Sequence, residues 1–124
     1  MNRSFTNILC DDPAAVAPFY EGLLHMRRAF DAEWFILLEG SEGGHELGLL
    51  SRAHDTVPDG AGQPGGAILT FVVLDCEAAY TRARDLGLTI QQPPHDTPYG
   101  QRRMILCDPA GMLVDISAPT APMR

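Results

Sequence analysis

The sequence predicts an α+β fold made of two tandem βαβββ modules, and three observations predict it. FTNILCDD (5–12) and ILTFVVLD (68–75) are both apolar, β-prone runs closed by Asp, and each leads into a stretch with helical spacing. In the same alignment Leu23 falls on Leu86, and Gly44 falls on Gly111 once four extra residues are allowed in the second loop. Between the copies, SRAHDTVPDGAGQPGG (51–66) is rich in Gly and Pro and has no apolar period, as expected of a connector. One domain, 1–124, is therefore expected to comprise module one (4–51), the connector (51–66), module two (67–118) and a tail (119–124).

Each element has a local reason. FTNILC reads as a strand, and DDP supplies an N-cap with Pro13 at the start of a helix whose stripe is Val16, Phe19, Tyr20, Leu23 and Leu24. Pro18 removes a donor inside that helix, and His25 closes it, where a cation suits the dipole. HMRRAF, EWFILLE and HELGLLS read as three strands, with GSEGG turning into the last. In the second copy AILTFVVL is a strand, DCEAAYTRARDLG a helix ending on a capping Gly, LTIQQ a strand and PPHDTPYG a loop, before a hairpin of QRRMILC and MLVDIS.

Composition narrows the function. A formal charge of −7 argues against a protein that grips phosphate backbones, which needs clustered Lys and Arg. No apolar run approaches the roughly 20 residues of a membrane span, and MNRSFTNILCDD meets acids before a signal-like stretch could form, so a cytoplasmic protein without a membrane partner is expected. Cys10, Cys76 and Cys107 are odd in number and lack CxxC spacing, which indicates neither a disulfide framework nor a zinc cluster.

The helix entry DDPAAVAPFYEGLL (11–24) and the hairpin YGQRRMILCDPAGMLVDIS (99–117) resemble signatures of the vicinal oxygen chelate superfamily, the glyoxalase, bleomycin resistance protein and extradiol dioxygenase group. That resemblance covers nearly all of the chain. It implies a curved eight-stranded mixed sheet around a cavity, helices on the outer face, and a homodimer. It also implies four metal-ligand positions, which fall here on Phe5, Gly48, Ile68 and Asp115. Three of these side chains cannot coordinate a cation, and hard divalent ions need several oxygen or nitrogen donors. No metal and no cofactor are therefore expected, and Asp115 needs another partner, because an unpaired carboxylate is costly inside a strand.

Strand parity supplies one. If Asp115 faces the cavity, so do Gln101, Arg103 and Ile105 across the hairpin, which makes Arg103 its cross-strand candidate. Parity also sends Phe5, Asn7, Trp34, Ile36, Glu46, Gly48, Ile68 and Thr70 inward. Trp34 and Phe5 would form an aromatic platform, and Gly48 would leave space. Such a wall suits a planar or hydrophobic small molecule, although a plain ion pair for Arg103 and Asp115 and a core or dimer contact for Trp34 explain the same residues. His95 lies in the expected loop with no nucleophile beside it. Two functions follow: a metal-free protein that sequesters or carries a hydrophobic or aromatic ligand, including a cationic antibiotic in a resistance role, or a glyoxalase-like lyase, isomerase or dioxygenase with a non-standard site.

Overall fold

The computed structural model describes residues 1–62 and 66–120. Residues 63–65 of the connector and 121–124 of the tail lie outside that description. Among the described residues, two helices and eight strands follow the expected order: β1 (Thr6–Cys10), α1 (Pro13–Leu24), β2 (Arg27–Asp31), β3 (Phe35–Glu39), β4 (Glu46–Ser51), β5 (Ile68–Val72), α2 (Cys76–Asp85), β6 (Thr89–Asp96), β7 (Gln101–Cys107) and β8 (Leu113–Pro119). The chain divides into two compact units, 1–65 and 66–124, so the boundary falls inside the expected connector.

The eight strands are hydrogen-bonded as two sheets of four, ordered β1-β4-β3-β2 and β5-β8-β7-β6. In each sheet the first strand runs parallel to the last and the other pairs are antiparallel. A parallel neighbour needs a crossover, which the helix supplies. Both helices start on an Asp: Asp12 Oδ1 accepts from Ala14 N at 3.1 Å, and Asp75 Oδ1 accepts from Glu77 N at 3.0 Å and Ala78 N at 3.1 Å. They end differently. His25 takes a left-handed conformation, φ +56°, after α1. After α2, Gly87 at φ +68° and the bond from Leu88 N to Ala83 O at 3.0 Å close a Schellman turn. α1 runs on through Pro18, whose side is exposed.

Each module has its own core between helix and sheet. In module one Val16, Phe19, Tyr20 and Leu23 of α1 are buried with Ile8, Ile36, Leu38, Leu47 and Leu49. In module two Cys76, Ala79 and Ala83 of α2 are buried with Met104, Leu106, Val114 and Ile116.

One element differs from expectation. PPHD is not loop: β6 continues through Pro93, Pro94, His95 and Asp96, and only 97–100 turns. Proline cannot donate to a ladder, but β6 is an edge strand, and its pairing with β7 is irregular between Ile90 and Gln92 and between Gln92 and His95.

The turn into β8 rests on Asp108, buried, whose Oδ1 accepts from Ala110 N at 2.8 Å and Met112 N at 2.9 Å. Asp108→Ala strands two donors and is expected to cost about 2 kcal/mol, read from the urea midpoint, while Asp108→Asn, which keeps an acceptor, recovers most of it.

Candidate functional site

The face of each sheet turned away from its helix carries most of the candidate residues. In module two the register places Thr70 beside Asp115, Asp115 beside Ile105, Arg103 beside Ser117 and Gln101 beside Pro119. The expected set on this face, Ile68, Thr70, Gln101, Arg103, Ile105 and Asp115, is thus brought together on three adjacent strands.

Asp115 is only 6% exposed, and its charge is fully answered. Thr70 Oγ1 donates to Oδ2 at 3.0 Å, Ser117 Oγ donates to Oδ1 at 2.5 Å, and Arg103 Nε stands 3.3 Å from Oδ1. A hydrogen bond to a charged group contributes roughly 1.5–3 kcal/mol, whereas desolvating one ion costs several. One partner would not offset that burial; two hydroxyl donors and the Arg103 cation together do. The cross-strand pairing of Arg103 with Asp115 is as expected, and Ser117 is the added partner that a position two residues along the same strand provides.

Arg103 is the less satisfied member. Its Nε is buried yet makes no hydrogen bond, because the approach to Asp115 is not aligned for one. Among the described residues the rest of the guanidinium makes none either, so its terminal N–H groups are unspent. Gln101 Oε1, on the same face, is likewise buried without a donor. Around them lies apolar surface: Ile68 is 50% exposed and Val72 66%.

His95, expected in a solvated loop, is instead the register partner of Arg103 and shares its face. Its Nδ1 lies 2.9 Å from the Pro93 carbonyl oxygen, which can only accept. In the neutral ring Nδ1 therefore carries the hydrogen and Nε2 presents a lone pair.

Module one corrects several expectations. Phe35 pairs with Leu50 and Leu37 with Gly48, so Phe35 and Leu37 share the open face with Asn7, Gly48 and Leu50. Ile36 pairs with Leu49, is fully buried, and belongs to the helix-side core; its predicted inward position was one residue out of phase. Trp34 precedes β3, and its indole stacks on His54 of the connector at 3.7 Å between centroids with the planes 8° apart, so one face of the expected platform is taken. His54 is fixed in turn by Thr56 N, which donates to its Nδ1 at 3.3 Å. Nor is Gly48 open space. A Cβ there would stand 2.1 Å from Asn7 Oδ1 and 2.9 Å from Phe35 Cε1. Glu46 pairs with Arg3, whose hydrogen bonds hold the Glu46 carboxyl below its ordinary value, and the Arg3 guanidinium lies 5.2 Å from the Phe5 ring centre.

These donors do not fit a divalent metal. Asp115 is committed to three protein partners, Asn7 fills the place of a side chain at 48, and among the described residues no group of three or more His, Cys, Asp or Glu could hold an ion.

On the helix side of module two a groove of ≈ 350 Å³ runs past Cys76, Glu77, Asp96 and Arg102. Arg102 is already held by Glu77 at 2.5 Å and Asp96 at 3.0 Å, and burial pushes the Cys76 thiol up, so this groove offers neither an unspent cation nor a reactive sulfur.

Residues 4–116 match the glyoxalase/bleomycin resistance protein/dioxygenase superfamily. The chain belongs to that superfamily. The anthracycline biosynthesis protein DnrV of Streptomyces peucetius is 33% identical over 114 residues, 86% of this chain but 38% of DnrV, so the chain spans well under half of that relative. Among solved structures, TioX from Micromonospora sp. ML1 has a TM-score of 0.76 at 18% identity, covering 96% of this chain and 99% of TioX. A superfamily member from Nocardioides has a TM-score of 0.74 at 23% identity, covering 100% and 89%. At those identities the structural likeness speaks for the fold. No described helix is long and apolar enough to cross a membrane.

Two measurements test this site. Asp115→Ala is expected to cost about 3 kcal/mol, because Arg103, Thr70 and Ser117 lose their common acceptor, and Arg103→Met about 1 kcal/mol, because the hydroxyls stay; denaturant midpoints give the order. In native protein a thiol reagent is expected to modify Cys107 first, with Cys10 and Cys76, both buried, reacting only on unfolding.

Proposed function

We propose that this protein binds a small hydrophobic or aromatic molecule without a metal, sequestering or carrying it rather than transforming it. The observation that carries the reading is Arg103: a side chain paired with a buried carboxylate, with terminal N–H groups unspent on a face floored by Ile68 and Val72. An oriented guanidinium donates to a ligand oxygen while the apolar strand positions cover its body. Asp115, itself held by Thr70 and Ser117, pairs with Arg103, and Gln101 adds an acceptor. In module one Phe5 and Phe35 offer a second apolar surface to the same kind of ligand, with Asn7 as a polar point beside them.

The relative named for anthracycline biosynthesis supports a flat polycyclic ligand, since anthracyclines are such molecules. An antibiotic-related role is part of this reading, as are a cytoplasmic location and a homodimer, which sedimentation equilibrium checks.

A thermal-shift screen of aromatic metabolites and antibiotics tests the proposal. A ligand present at 100 times its Kd raises apparent stability by about 2.7 kcal/mol. Arg103→Met is expected to weaken an oxygen-bearing hit about tenfold or more and to leave a purely apolar hit unchanged. Titration with nickel, zinc, manganese and ferrous iron is expected to give no stoichiometric binding; tight binding of one ion would instead favour the lyase, isomerase or dioxygenase reading.

A further inference from the structure

Resting on that reading, we infer that His95 is the proton acceptor of the module-two face, and that the ligand class it selects is a weakly acidic aromatic hydroxyl bound as its anion beside Arg103. The placement comes from β6. His95 and Arg103 are register partners on adjacent strands, so the imidazole and the guanidinium rise from one face as neighbours. The Pro93 carbonyl fixes the hydrogen on Nδ1, which leaves the Nε2 lone pair for an incoming O–H. Arg103 can only donate, and its terminal nitrogens are unspent. An acceptor beside a fork of donors suits an oxygen that gives up its hydrogen to one and is stabilised as an oxyanion by the other.

Charge decides between an entering anion and an entering neutral molecule. The Arg103 cation is already offset by Asp115, so a lone anion would meet no net positive charge on this face, in a chain of formal charge −7. A neutral hydroxyl avoids that penalty. Its O–H bond breaks, the hydrogen bonds to Nε2, the electron pair stays on oxygen, and an imidazolium and a phenolate arise together, so the net charge is unchanged. The other charged groups at this edge, Asp96 and Arg102, are bonded to each other, with Arg102 also held by Glu77 of α2. Nothing outside the ligand and His95 need supply or remove a proton.

The test uses 4-nitrophenol, whose ionised form is seen directly by absorbance, and its methyl ether 4-nitroanisole, which has no proton to give. In buffer near the probe's own pKa, above the roughly 6.5 of an ordinary imidazole so that a neutral ring meets the probe, binding is expected to raise the phenolate-to-phenol ratio at least about tenfold. His95→Gln, a change at an exposed position, is expected to abolish the ionisation and to weaken 4-nitrophenol relative to 4-nitroanisole, which has no proton for the ring to accept; Arg103→Met is expected to remove the preference for the phenol over its ether. Nitrophenol bound in its neutral form, or ionisation that persists in His95→Gln, overturns this inference while binding of nitroanisole leaves the broader reading standing. Failure of both probes to bind at millimolar concentration overturns both.

Discussion

The carboxylate of Asp115 is the fixed point of module two. It lies on β8, which pairs with β5 on one side and β7 on the other, and it takes a partner from each of those strands as well as from its own: Thr70, Arg103 and Ser117. A buried charge in a strand is tolerated only with such complete satisfaction. The consequence is positional. Three strands are tied at one level of the sheet, and Arg103 pairs with a carboxylate that is buried and already engaged by two hydroxyls.

The two modules repeat one topology but have diverged in how they fill the equivalent place. Asp115 stands four residues after Gly111, and Gly48 four residues after Gly44, with both turn glycines at positive φ. Module two fills the spot with a carboxylate and its hydrogen-bond partners. Module one fills it with the neighbouring Asn7 side chain laid over a residue that has none, against the Phe35 ring. Neither solution leaves the several unspent donors that a divalent ion requires.

Much of this was legible in the residues because the signals were redundant. The order of elements, the helix starts and the crossover helices followed from a repeat seen twice, and the parity of β7 and β8 followed from counting by twos from Asp115 across the DPAG turn. β3 gave no such guide: FILLE is nearly continuous apolar sequence, so period two is absent and only the pairing of Leu37 with Gly48 sets which side is which. Trp34 lay just outside that strand, where parity does not apply. The prolines before His95 read as breakers, since nothing in a linear pattern tells an edge strand from a loop, and the position of His95 beside Arg103 went unseen for that reason.

Those prolines also bear on behaviour at high concentration. The outer rim of a sheet is a ready template on which another chain can zip up, and long unprotected rims lead to fibrils. Pro93 and Pro94 deprive β6 of two successive backbone donors at its irregular stretch, and the corresponding edge strand of the first sheet, β2, is studded with Arg27, Arg28 and Asp31. The same irregular segment that carries His95 onto the face of Arg103 thus makes this rim of the second sheet a poor seed for strand-by-strand aggregation.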